Sequence, residues 1–229
     1  QTAEDGSDSA AGRPMPDQAI RRVPEGWQPP IGQRLAWTPK LPPHEREVEI
    51  EFNWAGAQAR RSGSVLHALL ERVGNIGIEN LAPEQQRRLV ERVPQLLRAL
   101  GTGPEALDET AGMIAAAFEN TLTSDTGRWI LSGEHEDAAC ELALTGMVDG
   151  RLVNAVIDRT FIDDHGTRWI IDYKSGYHEG GELEDFLAEE AGRYESQLGL
   201  YRKLFEQMGE TDIRTALFLP RHGTLREVE

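Results

Sequence analysis

Cysteine is almost missing from this chain: Cys140 is the single one in 229 residues. One thiol excludes an intramolecular disulfide framework and suits a reducing cytoplasm, the location expected here. No apolar run approaches the ~20 residues that a membrane-spanning helix needs, and no secretory leader is visible, so no membrane partner is expected. The pattern G-x-x-x-x-G-K-[ST] is absent as well, which removes a phosphate-cradling nucleotide loop. Positive charge is also short, with 24 Lys and Arg against 39 Asp and Glu, a net of −15. Any polyanionic partner must therefore be held by local patches against an unfavourable overall field.

What is present suffices for a sizeable core, because 39% of the residues are hydrophobic. Residues 1–30 are rich in Ala, Gly, Ser, Asp and Pro, and eight of the twelve prolines precede Glu45. Such a stretch buries too little apolar surface to order itself and reads as a linker, leaving 31–229 as one domain. A chain that starts at Gln1 behind such a linker reads as excised from a larger polypeptide.

Periodicity gives the elements. Arg34–Trp37 and Val48–Trp54 read as short strands. Helices are expected over Ser64–Val73, Pro83–Leu100 and Pro104–Thr121, with Pro94 demanding a kink or break in the second. Three strands follow, then a helix over Leu183–Met208 and a strand over Thr215–Leu219 closed by Pro220. The order α-β-β-β-α-β with extra helices at the front is an α+β pattern with a mixed sheet.

The middle strands hold the most informative residues. Asp158 lies within the apolar run Ile157-Asp158-Arg159-Thr160-Phe161, and Asp172-Tyr173-Lys174 closes the run that begins at Trp169. The polar stretch Asp163-Asp164-His165-Gly166-Thr167 between them reads as a hairpin loop. Centred on His165, it pairs residues whose numbers sum to 330, which sets Asp158 opposite Asp172. Asp149-Gly150 signals a second, two-residue hairpin. Its pairs sum to 299, which sets Glu141 opposite Asp158.

Three carboxylates in a row across adjacent strands repel one another unless a cation lies among them. Oxygen ligands without a thiolate cluster point to Mg²⁺ or Mn²⁺. Lys174 follows Asp172 by two and shares its face. The bland alternative is a set of solvated charges on a sheet, and a one-residue error in either turn would select it.

At this point the residues resemble the PD-(D/E)XK nuclease superfamily, with Asp158 as the first acid and Asp172-Tyr173-Lys174 as the second motif. The fuller wording, IDR-F, IIDYKSG and later Gln197-Leu198-Gly199-Leu200-Tyr201, resembles the RecB/AddA type, the nuclease domain of exonuclease V beta subunits. Gly63-Ser64-Val65-Leu66-His67 resembles that family's histidine helix. The resemblance implies a restriction-endonuclease-like αβββαβ core with a helical insertion. It also implies a divalent-metal-dependent DNA exonuclease acting in DNA end processing and recombinational double-strand break repair. Metal ligands would be His67, Asp158, Asp172 and the backbone carbonyl of Tyr173, with Glu141 as an extra ligand. Lys174 would orient the attacking water, and Gln197 and Tyr201 would approach the site. Implied partners are DNA ends, a superfamily 1 helicase domain of the same polypeptide and a second nuclease or helicase subunit. The single cysteine argues against relatives that hold an iron-sulfur cluster with four cysteines.

Other readings stay open beside these. His67 borders the apolar stripe of Val65, Leu66, Leu69, Leu70 and Val73, as an ordinary boundary histidine would. Gln197 and Tyr201, with Tyr194 on the same stripe, also fit plain helix packing. Between Ala55 and Leu100 seven arginines stand against four glutamates, a candidate DNA-facing surface or a solvated face. His165, His178 and His222 read as surface. The functional alternative is a non-catalytic nuclease-fold module that binds DNA ends or a partner.

Overall fold

The Asp149-Gly150 turn takes φ +50 and +77, the left-handed pair of a type I′ turn that matches strand twist. It joins β1 (Glu136–Val148) to β2 (Arg151–Ile162). Their pairs run from Val148↔Arg151 through Leu142↔Ile157 to Ala139↔Thr160, each summing to 299. Beyond β2, Ile162↔Arg168 to Arg159↔Ile171 pair it with β3 (Arg168–Tyr173) at a sum of 330. Both registers are those expected from the turn sequences, but the ladders contain neither of the expected acid pairs, Glu141↔Asp158 and Asp158↔Asp172.

The computed structural model describes residues 56–176 and 182–228. The expected linker, the two early strands and His178 lie outside them. Ahead of β1 come α1 (Ala57–Ile76), α2 (Pro83–Ala99), α3 (Pro104–Thr123) and α4 (Asp125–Ile130). After β3, α5 (Leu183–Gln207) leads to β4 (Ile213–Leu219) and β5 (Thr224–Val228). The five strands lie in sequence order, antiparallel except for β3 and β4, which are parallel and need the α5 crossover between them.

Helices cover both faces of the sheet. One core packs Leu66, Leu70, Val73, Leu97 and Phe118 of α1–α3 against Phe161, Trp169, Ile171, Tyr173 and Phe218. The other packs Leu198, Leu204 and Phe205 of α5 against Ile157, Ile170, Leu217 and Leu219. All six residues of β3 are buried, as a central strand covered twice requires.

α2 runs through Pro94 as one helix, so of the expected kink or break the break does not occur. Two features go beyond the expected order. α4 is unforeseen, being six residues too short to show a period. Pro220 ends β4 but not the sheet, since the chain turns back as β5.

Two arginines are almost wholly buried. Arg168 pairs with Asp137 and, at 2.9 Å, with Glu210. Among the described residues Arg159 pairs with no acid and donates instead to the carbonyls of Ile130 (2.9 Å), Ser132 (2.7 Å) and Gly74 (3.4 Å). Carbonyls near the ends of α1 and α4 carry the partial negative charge of each helix dipole, which compensates the guanidinium. Arg159 thereby ties both helices to β2.

Asp163 holds the β2–β3 turn. Its carboxylate accepts from the backbone N–H of His165 (2.9 Å) and Thr167 (3.0 Å) and from Trp169 Nε1 (2.8 Å). Burial is the largest single influence and pushes its pKa up, but these donors together outweigh it and leave the group below its ordinary 3.8. Asp163→Ala should cost about 1–2 kcal/mol in urea unfolding at neutral pH. Because the folded pKa is depressed, the charge-dependent part is complete above 3.8 and fades as pH falls through the folded value. An equal cost at pH 2 and pH 7 would show that packing, not charge, holds the turn.

Candidate active site

Strict alternation would put residues 155, 157, 159 and 161 of β2 on one face. Instead Ala155 and Ile157 enter the α5 core, whereas Phe161 enters the α1–α4 core and Arg159 reaches α1 and α4. β1 makes the same switch: Cys140 contacts Arg159, while Leu142 and Leu144 pack toward α5. The seam falls at Glu141 and Asp158. Glu141 has φ +49, a left-handed conformation that costs a non-glycine residue roughly 1–2 kcal/mol and suits a site held by its surroundings.

At this seam the β2–β3 ladder stops. Past Arg159↔Ile171, the Tyr173 N–H donates to Asp158 Oδ2 at 2.6 Å, so a side chain takes the place of the next ladder bond. Asp158 Oδ1 lies 3.4 Å from His67 Nδ1, and His67 Nε2 is 3.0 Å from the Tyr173 carbonyl oxygen. Burial lowers the His67 pKa, but Asp158 and then Asp172 outweigh it and leave the net shift upward. α1 can approach closely because of its glycines. A Cβ on Gly74 would stand 2.6 Å from Cys140 Sγ, and one on Gly63 3.1 Å from Ser175 Oγ.

Asp172 and Lys174 face α5. Asp172 Oδ1 accepts from Gln197 Nε2 at 3.0 Å, and that amide also donates to the Tyr201 hydroxyl at 2.7 Å. Lys174 Nζ lies 2.6 Å from Asp172 Oδ2 and 3.8 Å from the Tyr194 ring centre. The Lys174 ammonium is thus the partner of the buried Oδ2. Burial is the largest influence on Asp172 and pushes its pKa up to about 6 against the pull of Lys174. At Lys174 the balance reverses: burial lowers the value, attraction to Asp172 raises it, and attraction wins. Both directions follow from one ion pair buried at unequal cost.

The side chains thus form two linked groups. Ligand atoms of His67, Glu141 and Asp158 lie within 4.8 Å of one another, a set able to hold a metal ion. Asp172, Lys174, Gln197 and Tyr201 form the second group, joined to the first where the Tyr173 N–H meets Asp158 and its carbonyl meets His67. Burial and then the Asp158 charge raise the pKa of Glu141. A cation would relieve this crowding, and oxygen donors with one imidazole suit Mg²⁺ or Mn²⁺.

Two contributors escaped the sequence reading. Glu71 acts on Glu141 with a like charge, and its place four residues after His67 on one helix was the available signal. Glu190 is buried and pairs with Arg193 one turn before Tyr194, but an acid within the Glu179–Glu190 run reads as solvated.

No curated protein matches the chain. Among solved structures it is similar to protein VC1899 from Vibrio cholerae at 15% identity and a TM-score of 0.29, over 73% of this chain and 48% of that one. It spans about half the length of that protein. Over residues 44–227 the sequence matches the family model of the PD-(D/E)XK nuclease superfamily. With most of the chain covered, this protein belongs to the PD-(D/E)XK nuclease superfamily.

Proposed function

We propose that this chain is a divalent-metal-dependent deoxyribonuclease domain that hydrolyses phosphodiester bonds at DNA ends. The observation that carries this reading is the Asp172–Lys174 ion pair beside the His67–Glu141–Asp158 cluster. His67, Asp158, Asp172 and the Tyr173 carbonyl would hold the cation, with Glu141 as a further ligand. A bound Mg²⁺ or Mn²⁺ would polarise the phosphoryl group and make a water more acidic.

The remaining work falls to the protein's own groups. Lys174 orients a water and donates to oxygens that gain charge during attack, as a compact ammonium with three donors can. Gln197 fixes Asp172 and Tyr201 together, so the carboxylate keeps one orientation. Asp158 holds the Tyr173 peptide and thereby aims the carbonyl at the site.

The finer reading is an exonuclease of the RecB/AddA type, working in recombinational double-strand break repair with a superfamily 1 helicase of the same polypeptide. It is supported by His67 next to Asp158 and by Gln197 and Tyr201 next to Asp172. Linear plasmid should be degraded with Mg²⁺ or Mn²⁺ while covalently closed circles persist. Rapid nicking of the circles would overturn the exonuclease assignment.

Asp172→Asn and Lys174→Ala should each lower DNA hydrolysis by at least about 100-fold, the scale for removing a preorganised charged group. Variants as active as the wild type would remove these residues from catalysis. Metal binding has its own readout, since a ligand selective for the folded state stabilises it by about 2.7 kcal/mol at a hundredfold excess over Kd. Mn²⁺ should raise the melting temperature of the wild type and leave that of Asp158→Asn unchanged. A flat response in the wild type at millimolar Mn²⁺ would refute the cation site.

A further inference from the structure

Outside this site, two arginines face one groove without an acid. α1 and α2 leave a cavity of about 360 Å³ lined by Ala68, Leu69 and Arg72 from one helix and Leu89, Arg92 and Leu96 from the other. Among the described residues neither Arg72 nor Arg92 forms an ion pair or a hydrogen bond. The neighbouring acids are turned elsewhere. Glu91 lies 3.7 Å from Arg87, and Glu71 acts on Glu141 at the site already described.

That lining runs against the composition. In a chain with net charge −15, a groove of two guanidiniums, four apolar side chains and no carboxylate is a local reversal of the field. A guanidinium presents paired N–H donors that match two phosphate oxygens. The aliphatic walls offer apolar surface to the sugars of a strand, which free inorganic phosphate lacks. α1 links the groove to the site: Arg72 follows His67 by five residues, roughly 7.5 Å along the helix axis. His67 and Glu71 address the acidic cluster from one side of α1, and Ala68 and Arg72 address the groove from the next.

We propose that the groove between α1 and α2 holds a single DNA strand by phosphate contacts to Arg72 and Arg92, a short way along the strand from the bond that is cut. This rests on the nuclease reading and names how its substrate is held. It singles out two of the seven arginines between Arg60 and Arg98.

The test compares the full chain with the Arg72→Ala/Arg92→Ala double variant for fluorescent oligo-dT binding in EDTA across a salt series. Binding should weaken about tenfold, and the slope of log K against log salt should fall by about 0.7 for each lost phosphate contact. Arg87→Ala, which removes a paired arginine of the same helix, should change neither. Manganese-dependent hydrolysis of bis(p-nitrophenyl) phosphate, too small to reach the groove, should be the same in wild type and double variant. An unchanged Kd and slope, or an equal loss in Arg87→Ala, overturns the groove and leaves the nuclease reading intact. If the wild type hydrolyses neither the small diester nor DNA, yet binding depends on Arg72 and Arg92, the nuclease reading fails and the groove survives.

Discussion

The Asp158 carboxylate is the joint on which the site depends. One oxygen takes the Tyr173 N–H at 2.6 Å, and the other faces His67 Nδ1 at 3.4 Å. The first contact ends the β2–β3 ladder, and the second brings α1 to the end of the sheet. Between them the Tyr173 carbonyl is left near His67, while Asp172 and Lys174 turn to α5. A single side chain thus ties α1 to the end of β3.

Energetics explains why so many partners surround the site. Carboxyl groups crowded in a half-buried seam disfavour their charged forms, which is the upward direction found at Glu141 and Asp172. Hydrogen bonds from Tyr173 and Gln197 and the Lys174 ammonium offset part of that cost. The Asp172 pKa, pushed up to about 6 by burial even with Lys174 beside it, marks the part left over. A cofactor-binding superfamily member is expected to carry such a residue of strain, since preorganised charge serves the bound state at the expense of the free fold.

Much of the fold was legible because its signals are local. Two turns with strong chemistry, Asp149-Gly150 and the Asp163–Thr167 loop, set both strand registers, but the ladders skip Glu141↔Asp158 and end at Arg159↔Ile171, short of Asp158↔Asp172. α5 was equally readable, from a long amphipathic run. α4 was not, because tertiary packing overrides a weak local preference. Counting also assumed that alternation persists along each strand, and the switch of faces at Glu141 and Asp158 breaks that assumption.

By itself, then, the sequence determined the two hairpin registers and the long helices and core strands, since turn chemistry and alternation act over a few residues. Only the tertiary structure decided how those carboxylates divide. Glu141 and Asp158 join His67 on the α1 side, whereas Asp172 joins Lys174 and Gln197 on the α5 side. That division arises where two strands kink together and two helical layers meet, contacts between residues as far apart as His67 and Tyr173. No local pattern encodes such a meeting, because it depends on how distant apolar faces pack.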